Sequence, residues 1–277
     1  TATGNTVTGA INIVNTHPNG WDGCHDVIKE GSGDWTLSGS SGYNGNTYVR
    51  GGNLIAGTNA PNNGNGAFGK QTSDLDLGVA NGNDDAGILI GGPFTIGRVV
   101  RVQSQNSADS GTRVLTLGGT TADSSVFSNS ILLGDNNNAG YGVTVTAISG
   151  GDVTFSGVIQ DPSGMDATTY TAVDKTGAGT VYLTNANTYT GETKVSTGTL
   201  SLGDGTNNSN LSPYGTLSVE TGAMLDLNFL SANPNTVLIL NLGGVAQAAG
   251  TYGSTSSTAT NQNDTYFSGT GVVNNLG

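Results

Sequence analysis

Residues 175–203 read KTGAGTVYLTNANTYTGETKVSTGTLSLG, and the spacing within this stretch decides the fold. Three short runs, TVYL, TKV and TLSL, alternate apolar and polar side chains, with Gly, Asn and Thr between them. Runs this short with a period of two are strands rather than helices. Val181 and Leu183 point to one side, as do Leu200 and Leu202. Thr180, Tyr182, Thr199 and Ser201 point to the other. Gly177, Gly179, Gly191 and Gly198 sit where the chain bends or where backbones crowd.

Residues 29–57, KEGSGDWTLSGSSGYNGNTYVRGGNLIAG, align with this stretch without a gap. Lys29 matches Lys175, Gly31 matches Gly177, Gly33 matches Gly179, Tyr43 matches Tyr189 and Thr47 matches Thr193. A unit with one short apolar face must stack on neighbours to bury it, so the repeat predicts a solenoid. Leu37, Val49, Leu54, Leu183, Val195 and Leu200 are expected to be buried at equivalent stacked positions. Gly45 and Gly191 follow Asn44 and Thr190 in one bend, and at least one of them is expected to take a positive φ.

The rest of the chain fits. It has 277 residues, 46 of them glycine, with 34% apolar and 10% charged residues. Alternating runs recur from Val7, Ile11 and Ile13 near the start to residues 265–273 near the end, and no window has useful helical spacing. The class is all-β, and the expected architecture is a parallel β-helix, with a β-sandwich as runner-up. Coils of roughly 20–25 residues would number on the order of 12. With no linker or composition break, residues 1–277 read as one domain, with a turn-rich insertion at 17–26.

A net charge of −12, with eight scattered bases, excludes a nucleic-acid binder that must replace phosphate counterions. No apolar run is long enough to insert in a membrane as a helix. Cys24 is the single cysteine, so no internal disulfide forms. The chain begins at Thr1 without a signal sequence, which reads as a mature or trimmed start.

Candidate chemistry is sparse. Asp22, Cys24, His25 and Asp26, with His17 nearby, are metal-ligand types without a zinc-site spacing, and read as a polar loop. Asp74 and Asp76 alternate with leucines, and Asp84 and Asp85 lie one turn away. Grouped carboxylates of this kind are the weak candidates for Ca²⁺. Arg98 and Arg101 should face opposite ways and form no clamp. Asp152, Asp161 and Asp166 read as turn residues. No catalytic constellation and no cofactor site emerges. The tyrosines offer stacking surfaces for sugar rings, although Tyr43 and Tyr189, as repeat positions, point to packing.

The pattern K-x-G-x-G-x-x-x-L followed by Y-x-G-x-T-x-V-x-x-G-x-L-x-x-G resembles the autotransporter-associated β-strand repeat of large bacterial surface proteins. Residues 143–157 lead into the second copy, and residues 248–273 close the region, as in that family. The resemblance implies a right-handed parallel β-helix exported to the cell surface, acting as a rod, stalk or fibre subunit. Two alternatives differ in class: an adhesin that binds glycans or surfaces along the rod, and a carbohydrate-active enzyme. End runs without Lys, Arg or Pro gatekeepers further suggest head-to-tail self-association through the end coils.

Overall fold

The computed structural model describes residues 5–7, 25–79, 82–103, 113–134, 141–162, 171–208 and 211–277. His17, Trp21, Asp22, Cys24 and Asp166 lie outside them, as do Ile11, Ile13 and the Val7 side chain. Among the described residues every regular element is a strand.

The strands fall on three faces that the chain visits in turn, forming a parallel β-helix. One circuit shows the plan. Gly142–Ala147 lies on the first face, Asp152–Phe155 on the second and Ile159–Gln160 on the third; Ala172–Thr176 then returns to the first. The first face carries ten strands in unbroken parallel register, from Asn5–Val7 to Ile239–Leu242. Parallel pairing throughout the stack excludes the sandwich alternative, which is built from antiparallel strands. The stack has about ten coils rather than 12, because coil length varies more than the runs suggest. The register takes 19 residues from Leu37 to Ala56 but 34 from Ala56 to Ile90. Polar loops absorb the difference without disturbing the stacked faces. Ten coils at about 4.8 Å each make a rod roughly 45 Å long.

Alternation explains the core. On the second face Phe127, Phe155, Leu183, Leu202 and Leu227 form one inward column through successive registers. The Phe127 and Phe155 rings stack with centroids 4.8 Å apart. All six repeat-core residues are buried: Leu37, Val49, Leu54, Leu183, Val195 and Leu200.

The two repeat copies do not occupy the same faces. Val27–Lys29 and Thr47–Val49 lie on the third face, with Trp35–Leu37 and Gly52–Ala56 on the first. In the second copy Ala172–Thr176 and Glu192–Val195 lie on the first face, and Thr180–Leu183 and Thr199–Leu202 on the second. The unit is thus rotated by one face, and Leu37 and Leu183 belong to different columns. What repeats is a corner with its flanking strands. Two different corners of the prism accept it, because both make the same demands on the backbone.

At the C-terminal end the chain folds back on the first face and beside the third, while Phe267–Gly269 ends the second face as a parallel strand. Val245–Ala246 folds back antiparallel onto Ile239–Leu242. Gly250–Gly253 lies antiparallel to Val273–Asn275, which itself stacks on Asn235–Val237. The Ser254 hydroxyl donates to the Gly269 carbonyl at 2.6 Å, tying this return to the last strand of the second face. Reversal of strand direction is a known way to blunt an open edge.

Candidate functional site

Each repeat builds the same corner. Lys29 ends its strand with a fully buried side chain, and its Nζ donates to the carbonyls of Glu30 (3.0 Å), Gly31 (2.7 Å) and Gly51 (2.7 Å). Lys175 does the same with Thr176 (2.9 Å), Gly177 (2.8 Å) and Thr197 (3.0 Å). Three donors on one ammonium match three carbonyls that the turn leaves without ladder partners. Gly31 and Gly177 have φ of 70° and 76°, and Gly52 and Gly198 have 61° and 68°. A Cβ on Gly52 or Gly198 would also stand 2.8 Å from the lysine Nζ. The next bend is closed by Tyr43 bonding Thr47 at 2.8 Å and Tyr189 bonding Thr193 at 2.6 Å, with both rings buried. Burial pushes the Tyr189 phenol up to about 12 and pulls the Lys175 ammonium down to about 8.

Gly45 and Gly191 depart from expectation, since neither has a positive φ. They are glycines because backbones touch there. A Cβ on Gly45 would lie 1.9 Å from the His25 carbonyl oxygen, and one on Gly191 only 1.4 Å from that of Thr171.

Most of the charged candidates are committed to bonds within the fold, although Asp26, Asp84 and Asp85 stay exposed. Four of the eight bases are buried: Lys29, Lys175, Arg98 and Arg113. The Arg98 guanidinium donates to the Phe68 carbonyl and, at 2.5 Å, to that of Ser73. Burial lowers its pKa, against the pull of Tyr43, Asp74 and Asp76. Arg113 donates to the carbonyls of Val79, Gly82 (2.9 Å) and Gln103 (2.6 Å), with its guanidinium 4.8 Å over the Tyr141 ring. Asp74 accepts from Arg101 at 2.6 Å. Asp76 accepts from Gln103 at 2.5 Å, and burial raises its pKa. Asp85 accepts the Val114 N–H at 2.6 Å, and it shares with Asp84 a polar cleft lined also by Ser32, Asn53 and Thr116. Asp26 accepts the Asn46 N–H at 2.7 Å. Among the described residues no three or more His, Cys, Asp or Glu side chains gather as metal ligands.

A different surface emerges in the second half of the third face. Its inward column is aliphatic through Leu75, Val100, Ile131 and Ile159. Asn187 and Asn235 then take the inward place. The Asn187 Oδ1 accepts the Ile159 N–H at 2.9 Å, and the Asn235 Oδ1 accepts the Leu211 N–H at 3.0 Å. Outside this column lies an open groove of about 440 Å³. Thr188 and Thr190 line it from one coil, Asn208, Pro213 and Tyr214 from the next, and Pro234 and Thr236 from a third. Tyr214 is 70% exposed. The sequence marks this place only as a Pro-Tyr pair in a loop; three coils have to stack before it becomes a groove.

Comparison with known proteins fits this architecture. Residues 27–56 and 173–202 each match the family described as passenger-associated-transport-repeat. The chain therefore carries two copies of this repeat, and they are the two segments that build the lysine corners. No curated protein matches the chain, and no solved structure does.

Proposed function

We propose that this chain is a β-helical rod segment displayed outside a bacterial cell, with a structural rather than a catalytic role. The observation that carries this reading is the first face, where ten parallel strands run in register through both transport repeats over one connected apolar core. A passenger repeat implies a secreted or surface-exposed chain. The non-catalytic reading is supported by the use of Arg98, Arg101, Asp74 and Asp76 in internal hydrogen bonds and ion pairs. Small-angle scattering on the purified chain should return an elongated particle, and protease shaving of intact producing cells should release it. A compact particle, or a chain reached only after lysis, would overturn the proposal.

Filament growth by head-to-tail joining of end coils would extend the same proposal, but the C-terminal end weighs against it. The antiparallel pairing of Val245–Ala246 and of Gly250–Gly253 works against strand addition beside the first and third faces. Sedimentation velocity is therefore expected to show monomers even at high protein concentration. Long assemblies that appear with concentration would restore the filament.

A further inference from the structure

We infer that the groove on the third face is a binding site for a neutral glycan chain, with Tyr214 as its stacking platform. The inference rests on the surface-exposed reading above and names a ligand class for it.

The first argument is charge. The chain carries −12 overall, yet no Asp, Glu, His, Lys or Arg lines this groove, although the Asp161 carboxylate accepts the Thr190 hydroxyl at 2.6 Å. Its walls include Thr188, Thr190, Ser212 and Thr236, Asn208, whose Nδ2 donates to the Asn233 carbonyl at 2.8 Å, two prolines, and the phenols of Tyr189 and Tyr214. Hydroxyls and amides both donate and accept, which suits a polyhydroxylated ligand and gives an ionic one nothing to pair with. An ionic ligand would also leave water without compensation. Specific polar groups set among apolar ones are the usual make-up of a small-ligand site.

The second argument is the aromatic. Tyr214 is the most exposed large hydrophobic residue of the described chain, at 70%, whereas the repeat tyrosines Tyr43 and Tyr189 are at 2% and 1%. It follows Pro213, which itself lines the groove, and nothing in the core requires the ring to be there. A flat ring with an apolar face and a wet hydroxyl is suited to the C–H face of a pyranose.

The third argument is spacing. The groove crosses three successive coils about 4.8 Å apart. That spacing is close to the length of one sugar in an extended chain, so residues of a glycan laid along the rod would meet coils in step.

The test is titration calorimetry of the purified chain with neutral hexasaccharides, namely cello-, xylo-, laminari- and maltohexaose, beside oligogalacturonate as an acidic counterpart. At least one neutral hexasaccharide should bind. Tyr214→Ala should weaken that binding about tenfold or more, and Tyr182→Ala, on the second face, should leave it unchanged. Tyr214 is exposed, so the variant is expected to fold, and circular dichroism checks this. Absence of binding by every neutral hexasaccharide, binding indifferent to Tyr214→Ala, or preference for oligogalacturonate would each overturn the inference. The rod reading is judged separately, by particle shape and cell-surface exposure.

Discussion

Lys175→Met should lower the unfolding free energy by about 3 kcal/mol at neutral pH. Methionine fills much the same volume but cannot donate to the carbonyls of Thr176, Gly177 and Thr197. A carbonyl left unpaired inside the protein costs about 1–3 kcal/mol, and part of the total is recovered where water reaches the corner. Lys29→Met should behave in the same way at its own corner. The pH dependence supplies a second readout. Burial is the main reason that the folded Lys175 titrates near 8, outweighing the favourable field of Asp174. The unfolded lysine holds its proton up to its ordinary value of 10.5. Between these values the unfolded chain binds more protons, so stability gains from this group as pH rises. Tyr189 acts in the opposite sense. Its folded pKa of about 12 exceeds the ordinary 10, so its contribution is lost as pH climbs above 10. Urea denaturation from pH 7 to 10 should show the gap between wild type and Lys175→Met widening from about pH 8 upward. A constant or narrowing gap would show that the corner ammonium is not desolvated.

Gly191→Ala is expected to cost about 3 kcal/mol or more, at the upper end of what overpacking does. The new methyl would stand 1.4 Å from the Thr171 carbonyl oxygen, which is backbone of the preceding coil and has no rotamer to yield. The only relief is to separate the coils, which would weaken the ladder between Ala172–Thr176 and Glu192–Val195. The Gly191 N–H also donates to the Thr171 hydroxyl oxygen at 3.1 Å, and that bond would be lost. The informative control is Gly222→Ala. Gly222 has φ of 85°, but a Cβ there meets nothing within 4 Å. Its cost should be the smaller one of a strained backbone, about 1 kcal/mol. Similar thermal stabilities for the two variants would refute close approach as the reason for Gly191.

The sequence alone determined the strands and their inward residues. Alternation in TVYL and TLSL specifies which side chains are buried, because a strand has a period of two wherever it lies. The matched K-x-G-x-G pattern specified a corner used twice, since lysine, glycine and turn are local to one stretch of chain. Three things were decided only by the tertiary structure. The first is the face: the same corner sits one face further round in the second copy, because coil length depends on loops that carry no periodic signal. The second is the reason for Gly45 and Gly191, which looked like turn glycines but are fixed by the backbone of the neighbouring coil, 20 residues away in the register of Lys175 with Val195. The third is the fate of the charges and the groove. Arg98 reaches carbonyls 25 and 30 residues away, and Tyr214 meets Thr188 and Thr236 only across stacked coils. Such contacts depend on how many residues each loop spends before the chain returns, and a solenoid leaves that number free as long as its faces stay in register.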